Sequence, residues 1–332
     1  MVTRNQDEEK FMHKLAIVSG ASQGLGLALA KALAARGADV VLVARREKLL
    51  VEAVEEVERY KLMDGQIIKY LVADLTSAPE AEGVVSLCGR PSPDFVFCCA
   101  GGCTAKLLLD TTSSELGSSV AINYNTALYL AHASMRAMAA TGTTQHTRSI
   151  VFFSSVTHFY PFIGYGSYAP LKSALRTLAD VMRQELLPYN VSVPVVFAGN
   201  FLSEGYEQEN LTKPEITRKI EGPSEAIPAD LCAEKVIRAM VRGQEMITTD
   251  TIGWFLSGLV LGASPRSNYL LTTLFGVLFA VFSPVFEWVV ERDIKAFFRT
   301  RVDRSTAVLT QAATTESAGS QRSNESKEST LS

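Results

Sequence analysis

The chain has 332 residues, of which 47% are hydrophobic and 20% charged, and its formal net charge at pH 7 is −3. This composition supports a sizeable buried core and excludes a globally disordered or collagen-like chain. No basic block is long enough to bind nucleic acid electrostatically, so we expect no nucleic-acid partner. The five cysteines form no C-x-x-C pair, which favours reduced, packed thiols over a metal site or a disulfide framework.

Apolar runs alternate with helical stretches through most of the chain. Strands are predicted at residues 15–19, 40–44, 67–73, 95–99, 150–154, 192–198 and 245–249. Most are continuous runs of Val, Ile, Leu and Phe, which is typical of strands covered on both faces of a parallel sheet. Helices are predicted between them at residues 25–36, 46–59, 126–140, 168–187 and 229–241. This alternation predicts an α/β fold, a doubly wound parallel sheet of the Rossmann type with about seven strands.

The first predicted strand runs into a glycine-rich turn that opens a helix, Gly20-Ala-Ser-Gln-Gly24-Leu-Gly26. Gly20 permits a sharp turn, Gly24 lets the backbone approach a pyrophosphate, and Gly26 lets helix and strand pack closely. The phosphates would lie at the helix N-terminus. A plain turn is the alternative, but the strand before the loop and the helix after it favour a dinucleotide site.

The end of the second predicted strand distinguishes the two nicotinamide cofactors. NAD-binding sheets carry an acidic residue there, which holds the ribose 2′-hydroxyl. This chain has Arg45 and Arg46 instead, and a guanidinium suits the 2′-phosphate of NADPH. Ser22 in the glycine loop can add a hydroxyl, and Asp74 after the third strand is either an adenine contact or a helix N-cap. We therefore predict NADPH as the cofactor, the alternative being a solvated arginine pair.

A second motif follows the fifth predicted strand. Tyr168 and Lys172 are four residues apart and share one helix face, and Ser155 lies at the end of the strand before them. A sheet delivers catalytic side chains at such a strand end. A phenol with a pKa of about 10 is a weak acid and base near neutral pH, and a nearby cation favours its ionised form. The three residues together predict acid–base chemistry on a carbonyl.

With Asn123, these motifs resemble the short-chain dehydrogenase/reductase family over residues 14–250. The resemblance implies that Tyr168 is the acid/base, that Lys172 lowers its pKa and holds the nicotinamide ribose, and that Ser155 polarises the carbonyl. It also implies that Asn123, in the central helix, holds a water of the proton relay. Further cofactor contacts implied by the resemblance are Gln23, Leu25, Leu75, Ala100 and Gly101.

Two stretches depart from the family pattern. Cys98 and Cys99 replace two asparagines that brace the sheet, and residues 197–200 replace a Pro-Gly beside the nicotinamide. Near the catalytic motif, Tyr160 and Tyr165 are predicted to be packing or channel aromatics, and His158 is predicted to be structural.

Shifts in composition predict four regions. A polar N-terminus at 1–13 precedes the catalytic domain at 14–250, an apolar anchor with a basic flank at 251–304, and a disordered Ser/Thr-rich tail at 305–332. Only Arg266 and Glu287 are charged among residues 251–290, and residues 269–290 are long enough to span about 30 Å as a helix. We favour membrane contact, as a re-entrant hairpin or an in-plane anchor, over burial in a dimer face or a substrate pocket.

The residues alone predict an NADPH-dependent reductase of an apolar carbonyl compound. Within the family the chain most resembles cytosol-facing reductases of the endoplasmic reticulum membrane, which implies a long-chain 3-keto base as substrate and a homo-oligomer. The alternatives are a membrane-bound retinoid or hydroxysteroid dehydrogenase and, outside enzymes, an inactive NADP-binding membrane tether. Residues 200–228 are expected to cover the substrate. Glu204, Glu207 and Glu209 there can meet an amino group, although solvated loop charge is the favoured interpretation.

Overall fold

The computed structural model of the protein describes residues 9–222, 225–260, 265–266 and 268–328. In that part of the chain the strands are β1 Leu15–Ser19, β2 Asp39–Ala44, β3 Ile68–Val72, β4 Phe95–Cys98, β5 Arg148–Ser155, β6 Val191–Ser192, β7 Val195–Ala198 and β8 Met246–Thr248. They form one parallel sheet in the order β3-β2-β1-β4-β5-β7-β8, with β6 paired to β5 beside β7. The predicted doubly wound parallel sheet is confirmed.

The helices are α1 Gly24–Ala34, α2 Glu47–Glu58, α3 Ala78–Ser86, α4 Ser113–Val120, α5 Thr126–Ala140, α6 Ala169–Leu186, α7 Glu204–Thr212, α8 Glu215–Glu221, α9 Ala229–Val241, α10 Thr251–Leu256 and α11 Tyr269–Glu328. One apolar core joins α1, α2 and α9 to the sheet, and a second core on the opposite face joins α3, α5 and α6 to it. Successive β4 residues alternate between the two, Phe95 and Phe97 in one and Val96 and Cys98 in the other. Both faces of the strand are therefore buried, which explains its continuous apolar sequence.

Two predicted elements differ in the structure. The strand predicted at 192–198 is divided into β6 and β7, because Pro194 has no N–H to donate and offers only its carbonyl oxygen, which accepts from the Phe152 N–H at 2.9 Å. The central helix predicted to begin at Thr126 is preceded by α4 and a π-helical turn, Ala121–Asn125. The polar composition of α4 hid this extension from the sequence pattern.

The chain divides into two compact units, residues 1–279 and 280–332. Parts of all four predicted regions lie outside the described residues: 1–8 of the polar N-terminus, 223–224 of the catalytic domain, 261–264 and 267 of the anchor, and 329–332 of the tail. Helix α11 continues to Glu328 and so includes most of the segment after 304 that its composition predicts to be disordered. The disorder of that segment stays a prediction.

The first part of α11, Tyr269–Arg299, is long and apolar enough to cross a membrane, with a mean hydropathy of 2.0. Many of its large apolar side chains are exposed, among them Leu270 at 81% and Phe282 at 63%. Within the first unit, Phe275 packs on α10, where its ring centroid lies 5.4 Å from that of Trp254 and 5.1 Å from that of Phe255. A run of exposed apolar side chains along one helix is typical of a membrane or protein contact.

Candidate active site

The turn after β1 brings backbone to the N-terminus of α1. Gly20 has a φ of +66°, and a Cβ at this residue would lie 3.0 Å from the Ala100 Cα. A Cβ on Gly26 would lie 2.4 Å from the Gly20 carbonyl oxygen, so a side chain there would displace the turn. Gln23, the N-cap residue of α1, accepts a hydrogen bond from Arg46 through its side-chain oxygen. The glycines therefore keep the helix N-terminus open to a phosphate.

The ends of β2 and β3 form a second corner of the site. Arg45 is exposed at the end of β2, with no acidic residue beside it in the chain. Hydrogen bonds from the Thr76 N–H at 3.0 Å and the Thr76 hydroxyl at 2.8 Å lower the pKa of Asp74, and the charge of Arg45 adds to this effect. Ser77 is the N-cap of α3, so the N-cap alternative for Asp74 is wrong. Its contact with adenine stays a prediction.

The predicted catalytic residues meet between the end of β5 and the start of α6. Ser155 is the last residue of β5, and its hydroxyl accepts from the Thr157 N–H at 3.2 Å. Tyr168 is the N-cap residue of α6, and Ser155 is near enough to its phenol to lower the pKa of Tyr168. One turn later, Lys172 Nζ donates to the Phe153 carbonyl oxygen at 2.8 Å and lies 5.3 Å from the centroid of the Tyr168 ring.

Asn123 approaches the same cluster from the π-helical turn before α5. Its Oδ1 accepts from the Gly102 N–H at 3.0 Å, and its Nδ2 donates to the Ser119 carbonyl oxygen at 3.2 Å. A Cβ on Gly101 would lie 3.0 Å from Asn123 Oδ1 and 3.4 Å from Lys172 Nζ, so both side chains crowd one backbone position. Such single π-helical turns are frequent at functional sites.

Burial dominates the electrostatics of the catalytic pair. Burial raises the pKa of Tyr168, and the nearby Ser155 hydroxyl acts in the opposite direction. Burial also lowers the pKa of Lys172 to about 8. The net shift of the Tyr168 pKa is therefore opposite to the effect expected of Lys172, because desolvation of the phenolate is the largest contribution.

A buried hydroxyl of β1 contacts the backbone on both sides of Cys98 and Cys99. The Ser19 hydroxyl donates to the Phe97 carbonyl oxygen and accepts from the Ala100 N–H, both at 3.1 Å. Cys98 lies in the core on one face of the sheet, and Cys99 packs against the core on the other. This buried hydroxyl thus links the ends of β1 and β4 in addition to the backbone pairing of the two strands.

Sequence reasoning missed a cluster beside Tyr168. The Tyr165 hydroxyl lies 2.5 Å from Glu209 Oε1 and 2.7 Å from Glu221 Oε1, and Lys213 Nζ lies within 3.0 Å of both carboxylates. The side chain of Glu209 is only 15% exposed, so its interpretation as a solvated loop charge is wrong. The available signal was the four-residue spacing between Glu209 in α7 and Lys213, the C-cap residue of that helix.

One cavity of about 950 Å³ joins these parts. Every predicted site residue except Asn123 lines it, and Asn123 lies behind Gly101, which does line it. An open helix N-terminus, an exposed arginine at the end of β2 and a buried lysine in one cavity fit a dinucleotide with a 2′-phosphate. The individual contacts of these residues with a cofactor stay predictions.

Comparisons with known proteins identify the fold and the family of the chain. A short-chain dehydrogenase from Sphingobium yanoikuyae, solved in complex with NADPH, has a similar fold, with a TM-score of 0.62 and 21% identity, covering 77% of this chain and 99% of that one. The 3-ketodihydrosphingosine reductase of Yarrowia lipolytica is 43% identical over 87% of this chain and 79% of its own length. That of Debaryomyces hansenii is 40% identical over 88% of this chain and 91% of its own length.

The enzyme of the same name from Saccharomyces cerevisiae is 34% identical over 80% of this chain and 88% of its own length. The family model described as short chain dehydrogenase matches residues 14–214, which contain the glycine loop and the whole catalytic cluster. The chain therefore belongs to the short-chain dehydrogenase family.

Proposed function

We propose that the protein reduces 3-ketodihydrosphingosine to dihydrosphingosine with NADPH, a step of sphingolipid biosynthesis. The observation that carries the chemistry is the meeting of Ser155, Tyr168 and Lys172 in one cavity with the glycine loop. The choice of substrate is supported by relatives named 3-ketodihydrosphingosine reductase that match most of the chain.

The residues present fit the cofactor. The glycine loop and the N-terminus of α1 would hold the pyrophosphate of NADPH, Arg45 and Ser22 its 2′-phosphate, and Lys172 its nicotinamide ribose. When bound, NADPH supplies the hydride that reduces the keto carbon.

The chain itself supplies the proton and the polarisation. Ser155 donates a hydrogen bond to the keto oxygen, and Tyr168 transfers its phenolic proton to the same oxygen as the alcohol forms. The ammonium of Lys172 stabilises the phenolate left on Tyr168. Asn123, which lies beside Gly101 as Lys172 does, holds the water through which Tyr168 regains its proton.

We further propose that Tyr269–Arg299 attaches the enzyme to the endoplasmic reticulum membrane, with the active site facing the cytosol. Its length, its hydropathy and its exposed apolar side chains support this placement. The basic residues Arg292, Lys295 and Arg299 favour the cytosolic side for the end of the apolar segment. A re-entrant or in-plane arrangement keeps both of its ends on that side. The homo-oligomer implied by the family resemblance is part of the same proposal.

The test is NADPH oxidation by the purified full chain in detergent. Three carbonyl substrates are compared: 3-ketodihydrosphingosine, a retinal and a steroid ketone. We expect turnover with the first, with dihydrosphingosine as the product identified by mass spectrometry. Preferential turnover of retinal or steroid would support the alternative dehydrogenase. NADPH binding without turnover of any of the three would indicate the inactive tether.

A further inference from the structure

In the cluster beside Tyr168, the two carboxylates, Glu209 and Glu221, differ in how their oxygens are bound. Both oxygens of Glu221 are engaged, Oε1 with the Tyr165 hydroxyl at 2.7 Å and Oε2 with Lys213 Nζ at 2.9 Å. For Glu209, Tyr165 and Lys213 both bind the same oxygen, Oε1, at 2.5 and 3.0 Å. The second oxygen of Glu209, Oε2, is bound by neither of these groups.

The cluster has fewer donor hydrogens and less positive charge than its two carboxylates require. A phenol carries one hydrogen, so Tyr165 can satisfy only one of its two short carboxylate contacts at a time. The two carboxylates also outnumber the one ammonium, that of Lys213, whose side chain is 3% exposed. A further cationic donor near Glu209 would supply both the missing hydrogen bond and the missing charge.

Glu209 lies in the cavity in which the substrate must bind. Glu209 lines the same cavity as Tyr168, and its charge acts on the phenol, contributing to the raised pKa of Tyr168. The ring centroids of Tyr165 and Tyr168 are 6.1 Å apart. The Cys103 thiol also lines the cavity, and the charge of Glu209 contributes to the raised pKa of this thiol. A ketone placed at Tyr168 would therefore carry its neighbouring substituents toward Glu209.

We infer that Glu209 selects the substrate by accepting a hydrogen bond from the ammonium group on the carbon next to the ketone. The inference rests on the proposed function, since a 3-keto long-chain base carries an amino group at that position. Tyr165 and Lys213 are positioning residues that hold the carboxylate through Oε1. A ketone of the same shape without the amine would leave Glu209 Oε2 without a cationic donor in a partly buried site and would be discriminated against.

The experiment compares two substrates and two variants. The substrates are 3-ketodihydrosphingosine and its analogue in which hydrogen replaces the amino group. Glu209→Gln keeps the size and an acceptor oxygen but removes the charge. Glu207→Gln is the matched control, because Glu207 lies on the same helix, is exposed and is not among the residues that line the cavity. NADPH binding is measured separately by fluorescence to report the folded state of each variant.

We expect Glu209→Gln to lower kcat/KM for the amino ketone about tenfold to a hundredfold, chiefly through KM, and to leave the analogue unchanged. Glu207→Gln should change neither. An equal loss with both substrates, or no loss with the amino ketone, would overturn the inference. Should Glu209→Gln fail to bind NADPH, the wild type decides: it must prefer the amino ketone to the analogue at least about tenfold. Equal rates would overturn the inference alone, whereas turnover of neither ketone would overturn the proposed function.

Discussion

Tyr168 lies at the start of α6, next to three residues of the cavity. Its hydroxyl meets Ser155, its ring lies beside Lys172, and Tyr165 packs against it. Tyr168→Phe keeps the packing and removes the proton. We expect NADPH binding to survive and kcat to fall by about 10²–10⁴-fold, the usual contribution of general acid catalysis. Tyr70→Phe, which removes a surface hydroxyl bonded to Glu47, is the control. Activity of Tyr168→Phe within a few-fold of the wild type would rule out its role as proton donor.

The lowered pKa of Lys172 leads us to expect that the rate of reduction depends on pH. Its pKa is lowered to about 8 by burial, so the ammonium is present below that pH and is lost above it. The pKa of Tyr168 is raised, so the phenol remains protonated over the same range. Lys172 stabilises the forming phenolate only in its charged form. The value of kcat/KM should therefore decrease as the pH rises through about 8.

The matched variant for this profile is Lys172→Arg. A guanidinium stays charged at every pH of interest, so the decrease near the lysine pKa should disappear even where the absolute rate is lower. A wild-type profile that is flat through this region would show that the charge of Lys172 does not enter the rate.

Arg45 is predicted to set the choice of cofactor. Arg45→Ala should raise the KM for NADPH about tenfold or more and change that for NADH little, because only NADPH carries the 2′-phosphate. Arg59→Ala, which removes an exposed arginine at the end of α2 and outside the cavity lining, is the control. Equal changes with both cofactors would reduce Arg45 to a structural role.

At the scale of the element, alanine substitutions at two helical glycines are predicted to have opposite effects. A Cβ on Gly26 in α1 would lie 2.4 Å from the Gly20 carbonyl oxygen, whereas a Cβ on Gly83 in α3 would meet nothing within 4 Å. Gly26→Ala should therefore abolish NADPH binding by displacing the turn. Gly83→Ala should keep binding and raise the free energy of unfolding by about 0.5–1 kcal/mol, since alanine loses less backbone entropy in a helix. Thermal denaturation and cofactor titration measure both; a Gly26→Ala protein that binds NADPH normally would contradict the assigned packing role.

The elements also show where local patterns suffice. The bounds of β1, α5 and α9 follow from apolar periodicity and agree with the structure. Pro194, present in the sequence, divides one predicted strand because the chain there needs a donor that proline lacks. The π-helical turn that carries Asn123 has no comparable local signature, since it depends on how α4 and α5 join beneath Gly102.

At the scale of the whole molecule, the apolar segment can be separated from the sheet domain. Val260 and Leu256 pack against the core, whereas many large side chains after 268 are exposed. A chain ending at Val260 should therefore keep α10, bind NADPH and move from the membrane pellet to the soluble fraction. A chain ending at residue 299 keeps the apolar segment and should stay in the pellet. If the shorter chain aggregates and binds no NADPH, the segment belongs to the fold and the membrane proposal fails.

The sequence by itself determined the parallel sheet, the glycine loop and the pairing of Tyr168 with Lys172. These features are encoded within a few residues, by continuous apolar strands, by turn glycines and by the spacing of one helical turn. Only the tertiary structure decided the net pKa shift of Tyr168, the approach of Asn123 to Lys172 across Gly101, and the place of Glu209 in the cavity. The reason is that burial and charge at one atom are summed over residues distant in the chain, which no local pattern records.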